Sequence, residues 1–212
     1  MNRLINAPLA DYLEALRIQR WDDHRYYHHS RINQSLHLIS AASFVVAYGF
    51  LWVDPAMAAL IAWGVSMTSR QSGHFFFEPR GFDHVNQATH EHKEDIKVGY
   101  NLHRKVVLLS ICAAIPVLAY WMPAYLTWAV PQAYEDTPVR ITAMAWLFLG
   151  AAGLVFRVLQ LWWQDSLVAG LAWGFKILTD PIHDIKLYHK APLHLLRGER
   201  IDPMDHVKAS QA

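Results

Sequence analysis

Four apolar runs, at about 37–53, 56–72, 105–121 and 141–161, constrain this chain more than any other feature. At 1.5 Å per residue the first makes a helix of about 25 Å, close to the roughly 30 Å of a bilayer's hydrocarbon core. A bilayer offers no water to exposed N–H and C=O groups, so runs of this length must close their hydrogen bonds internally, as helices do. Asp54 and Pro55 read as a tight turn between the first two runs. The expected fold is all-α: an integral membrane bundle of about four transmembrane helices. It forms a single domain over 1–212, with no linker, internal repeat or low-complexity tract to divide it.

Composition agrees. Hydrophobic residues make up 53% and charged residues 17% of the chain, against about 25% charged in an ordinary soluble domain. Nine tryptophans suit membrane interfaces. A formal net charge of +1, with no run of lysine and arginine, argues against a nucleic-acid partner. Residues 1–35 hold no stretch of signal-peptide character. Leu9, Tyr12, Leu13 and Leu16 instead fall at helical spacing among charges, as expected of an amphipathic segment lying on the membrane face or on the rest of the protein. Cys112, the single cysteine, reads as a small core residue.

Charge placement predicts the orientation. The turns around Asp54 and over 122–140 hold Arg140 as their one basic residue, and Arg157 falls late in the fourth run; the other basic residues lie on or beside the opposite face. By the positive-inside rule that face is cytoplasmic and carries both termini, including the segment 162–212. All 13 histidines fall there too, so a cytoplasmic histidine-rich cap is expected on the bundle.

Three segments supply these histidines. In "HRYYHHSRINQSLH", His24 and His28 are four apart and share a face wherever the stretch is helical. "GHFFFEPRGFDHVNQATHEHKEDIKVGYNLH" places His74 and Glu78 as an i, i+4 pair at the end of the second run, before His84, His90, His92 and His103. "DPIHDIKLYHKAPLH" follows the fourth run. An imidazole left unpaired beside a membrane is costly, so something must satisfy these rings. Imidazole and carboxylate suit iron, zinc or manganese, and a set of both with open positions is how non-haem Fe(II) activates dioxygen. His28, His37, His74 and Glu78 are the candidate catalytic and metal-binding residues, with His29, His90 and His103 as further candidate ligands. Asp83, Glu91, Glu94, Asp95 and Asp184 are acids able to orient ligand rings. The plain alternative for each is an ordinary surface or interfacial side chain, and for "GHFFFE" an aromatic belt.

Two of these stretches carry a resemblance. "HHSRINQSLH" resembles the first motif of the membrane 2-hydroxy fatty acid dioxygenases of α-oxidation, at His28, Asn33 and His37, leading directly into an apolar run. "QSGHFFFE" resembles their second motif, at Gly73, His74, Phe77 and Glu78. The match covers roughly residues 24–82. It implies a multi-spanning helical enzyme that uses Fe(II) and dioxygen to shorten a 2-hydroxy fatty acid by one carbon. His28, His37 and His74 would hold the iron, with Glu78 as a ligand or behind one. The substrate's hydroxyl and carboxylate would chelate the metal, with Arg31 or Arg80 beside the carboxylate and Asn33 on the substrate side.

The histidines from His84 to His103, and those after the fourth run, lie outside that pattern. They support an alternative, a two-metal lipid hydroxylase or desaturase of the histidine-box type, although "HEH" is a poor second box and no HxxHH follows. A haem protein and a non-catalytic metal-binding membrane protein are the other readings. The expected partners are a lipid or fatty acid and the bilayer, with one or two iron ions and a homo-oligomer both allowed.

Overall fold

The computed structural model describes residues 2–98 and 101–211, and these are all-helical, without strands. Helix α1 (Asn2–Tyr27) turns through residues 28–30 into α2 (Arg31–Phe50), whose start is fixed by the Ser30 hydroxyl accepting the Asn33 N–H. The turn read at Asp54 and Pro55 opens α3 (Pro55–Ile61). There the Asp54 carboxylate accepts the N–H groups of Ala56 and Met57, and Pro55 occupies the first turn, where it sacrifices no hydrogen bond.

Beyond α3 the second apolar run is not one uniform helix. A π-helical stretch over Ala62–Met67, α4 (Thr68–Ser72) and a second π-helical stretch over Gly73–Phe77 follow in sequence. After α5 (His90–Asp95) come α6 (Leu102–Trp121) and α7 (Pro138–Gln164), begun by Asn101 and by Thr137 with Pro138. Then follow α8 (Leu167–Tyr188), α9 (Ala191–Leu196) and α10 (Asp205–Gln211).

Among the described residues two helices are long and apolar enough to cross a membrane: α6 from His103 to Trp121, and α7. They cover the third and fourth runs and leave Val106, Val107, Val117, Val155, Phe156 and Leu159 exposed. The first two runs do not meet that test. Helix α2 opens on polar residues and buries Asn33, Gln34, His37 and Ser40, and the second run is broken into short pieces. The segment 162–212, expected as a cytoplasmic tail, contains a further long helix, α8, which packs against α1, α2 and α7. Glycines permit the α7–α8 contact. A Cβ on Gly170 would lie 2.6 Å from the Val158 carbonyl oxygen, and one on Gly174 would lie 2.9 Å from the Val158 side chain. Small residues four apart are the usual means of such close helix approach.

The interior has two characters. At one end Ala56, Ala59, Ile115, Ala119, Ile141, Ala143 and Met144 form an apolar core. At the other, α1, α2 and α8 bury polar groups that pair with one another. Lys176 reaches Asp180 at 2.6 Å and Asp23 at 3.1 Å, and Arg20 reaches Asp180 at 3.3 Å. Buried charges persist only when paired in this way.

Candidate metal centre

The polar end is built around three histidines from three elements. His28 lies in the turn after α1, His37 in α2, and His74 in the second π-helical stretch. His28 and His37 are 2% and 1% exposed. Their Nε2 atoms stand 3.2 Å apart, and the Nε2 atoms of His37 and His74 stand 3.1 Å apart. One ligand atom from each of the three lies within 4.8 Å of the others, the one such group among the described residues.

Hydrogen bonding fixes which nitrogens carry protons. His28 Nδ1–H donates to the Asp23 carbonyl at 2.8 Å. His37 Nδ1 faces the Asp184 carboxylate at 3.4 Å, and that carboxylate also accepts from Arg70. A bare Nδ1 on His37 would meet an anion, so the proton belongs there. Both Nε2 atoms are then lone pairs pointing at each other across 3.2 Å. A cation between them turns that repulsion into coordination. Separations of 3.1–3.2 Å suit nitrogens bound about 2.0–2.1 Å from a common ion. Burial, followed by the neighbouring His37, lowers the pKa of His28 well below the ordinary histidine value. Burial, followed by Lys105 and His37, does the same for His74. The neutral imidazole favoured by these surroundings is the form a metal takes. The residues present therefore fit a divalent ion held by three imidazoles, each on an adjacent position.

Glu78 does not stand with them. The wide turn over Gly73–Phe77 ends in extended backbone at Glu78, so the helical i, i+4 relation with His74 does not form. Its carboxylate turns back to the α1–α2 turn, accepting the His29 N–H at 3.0 Å and the Asn33 amide at 2.6 Å. Burial raises its pKa to about 7, against the pull of those two donors. Asn33, fully buried, donates to both Glu78 and the Tyr27 carbonyl. Gly73 packs on Asn33 so closely that a Cβ would lie 2.0 Å from Asn33 Oδ1. The turn is tied from a third side as well. Gln34 donates to the His28 carbonyl, Asp202 N–H donates to the His29 carbonyl, and Arg31 N–H donates to the Arg200 carbonyl.

The other sequence candidates lie apart from the three rings. His29 bonds the Arg25 carbonyl at 2.6 Å and Asp83 at 3.3 Å. His103 is exposed, and His90 lines a cleft beside His74. Arg31 is held by Asp202 at 2.9 Å, whereas Arg80 is exposed and lines the same cleft. Of the acids named as ring-orienting, Asp184 faces His37, Asp83 faces His29, and Glu91 and Asp95 are exposed.

Several residues had gone unnoticed in the sequence. Tyr188 packs its ring 5.4 Å from that of His28 and 6.1 Å from that of His37, and its hydroxyl meets His24 Nδ1 at 3.1 Å. His24 in turn meets His206 at 2.8 Å. Asp23, Arg70 and Asp202 complete the support, and no local spacing marks any of them. Compared with protein-family models, curated proteins and solved structures, the chain matches none.

Proposed function

We propose that the protein is an Fe(II)-dependent membrane oxygenase acting on fatty acyl substrates, with 2-hydroxy fatty acids as its substrate class. The observation that carries this reading is the convergence of the Nε2 atoms of His28, His37 and His74, those of His28 and His37 left bare by the partners of their Nδ1 atoms. Imidazole suits several transition metals; the motif resemblance at His28, Asn33, His37, Gly73 and His74 selects iron. When bound, the ion would supply the oxidative chemistry with dioxygen, its remaining positions open to a chelating hydroxyl and carboxylate.

The chain's own groups do the positioning. Asp23, through its carbonyl, and Asp184 hold two of the rings in the tautomer that faces inward. Arg70 neutralises Asp184. Glu78 and Asn33 hold the turn carrying His28 against the stretch carrying His74. In this reading α2 and the α3–α4 stretch join α6 and α7 as a four-span bundle, with the site and both termini at the cytoplasmic surface. The overall reaction balances without an external reductant. RCH(OH)COOH and O₂ give RCOOH, CO₂ and H₂O; the bond between carbons 1 and 2 breaks, and dioxygen takes the four electrons.

A single ion is favoured over a histidine-box pair, because His28, His37 and His74 form the one group of three ligand residues among those described. Nε2 atoms 3.1–3.2 Å apart also leave no room for a porphyrin plane between two rings. The test is metal analysis of detergent-purified protein with oxygen uptake on 2-hydroxyhexadecanoate. Wild type should carry about one iron per chain and consume dioxygen, while His37→Ala and His74→Ala should each lose the iron and the uptake. Full iron and turnover in both variants would overturn the assignment.

A further inference from the structure

Beside His74 the surface opens into a cleft whose walls include Glu78, Arg80, Lys97 and Lys105. Three ionic groups in that cleft are already committed. Lys93 bonds the Tyr26 carbonyl at 3.2 Å and Asp83 at 3.4 Å. Lys97 lies over the Tyr27 ring at 3.6 Å and reaches Glu94 at 3.6 Å. The Glu78 carboxylate is taken by the His29 N–H and the Asn33 amide. Lys105 differs: no side-chain hydrogen bond or ion pair within the protein engages its ammonium among the described residues. It lies near the start of α6, within a helix apolar enough to cross a membrane. Val106, Val107 and Ile111 of the same helix are exposed.

We propose that Lys105, with Arg80 at the cleft's rim, binds the carboxylate of a single-chain fatty acid whose acyl tail follows the exposed apolar flank of α6. This rests on the oxygenase reading for the substrate's chemistry, and it names the group that recognises the substrate's charge. Lysine suits this position, since its apolar stem can lie along the helix while the ammonium stays at the level of the headgroups. A carboxylate held there would be delivered on the cleft side of His74, next to the three inward nitrogens. Arg31, the other arginine expected at the carboxylate, is occupied by Asp202.

The probes are hexadecanoate and its methyl ester, which differ in charge and lack the 2-hydroxyl needed for strong chelation. Binding is measured in phosphatidylcholine nanodiscs, to the iron-loaded wild type and to His37→Ala. Both should prefer the acid by roughly 10- to 100-fold, the range expected of a charge-assisted hydrogen bond. Lys105→Met should reduce that preference to about threefold or less with iron content unchanged, and Lys105→Arg should retain it. If Lys105→Met fails to accumulate, Lys105→Gln replaces it under the same criterion.

An equal affinity of wild type for acid and ester, or a full preference surviving in the neutral variant, overturns the proposal. Failure of the oxygenase reading looks different. Iron or oxygen uptake would then be missing from wild type, while the acid preference and its dependence on Lys105 remained.

Discussion

Asn33 shapes a site it does not enter. Its amide joins the end of α1 to Glu78, and its oxygen presses against Gly73, the residue before His74. Gly73→Ala would place a Cβ 2.0 Å from that oxygen and 3.3 Å from the Asn33 Cα, so backbone as well as side chain must yield. Overpacking of this kind costs about 1–3 kcal/mol. A melt of the variant should show that loss, together with weaker metal retention. Asp184→Asn should keep the fold but weaken metal binding by roughly 10- to 100-fold, as measured by competition with a chelator.

The motif residues were legible because each group lies within a short stretch, and both stretches lead into or out of an apolar run. Asp184 could be named only as an acid of the right type. Its partner His37 is 147 residues away, and no periodicity records such a pairing. Tyr188, Asp202 and Lys105 were invisible for the same reason. Glu78 was misplaced relative to His74 because i, i+4 spacing implies a shared face only in an α-helix, and a wider turn intervenes.

Among the elements, the packing of α1 against α8 and α10 carries a pH dependence. His24 sits between Tyr188 and His206, and burial, then His206, lowers its pKa to about 4 from 6.5. Between those values the unfolded chain binds a proton that the folded one refuses, so stability falls as pH falls through the window. The loss amounts to about 3 kcal/mol and stops growing below the folded value. Glu78 acts with the opposite sign. Its pKa is raised from 4.5 to about 7, so the stability it contributes in acid is lost as pH rises through that range. Denaturant titrations of chelator-treated protein at pH 7, 5.5 and 4.5 should show a shallower acid loss for His24→Gln than for wild type. A steeper loss is expected for Glu78→Gln. At this scale the sequence marked the starts of helices well, since Asp54 with Pro55 is a local signal. It missed α8 as a packed element because nothing local marks Lys176 and Asp180 as buried, and Asp184 stood out only as an acid able to orient a ring. In the fold they are buried among partners on α1, α2 and α4.

For the whole molecule, exposed tryptophans stand at both ends of the apolar helices. Trp52 and Trp121 follow or close α2 and α6, and Trp128 lies in the segment after α6. Trp162 and Trp163 lie at the far end of α7. Tryptophan at both membrane–water interfaces is the pattern expected if α6 and α7 cross a bilayer as proposed. Tryptophan emission should therefore be quenched more by lipids brominated near the headgroup than by lipids brominated near the chain ends. The reverse order would place these residues in the bilayer centre.

The strands of chain that tie the α1–α2 turn have a bearing on biogenesis. Asp202 and Arg200 bind the backbone beside His28, while all three inward histidines lie in the first 74 residues. Synthesis runs from the amino terminus, and early segments can fold before late ones exist. The three histidines therefore leave the ribosome long before the segment that locks the turn beside His28. A chain stopped short of residue 200 would carry every proposed ligand and, on the proposed reading, hold a metal only loosely. If the site holds iron as proposed, retention of the metal should accordingly require the segment that carries Arg200 and Asp202, and an Arg200→stop variant should retain less iron per chain than wild type.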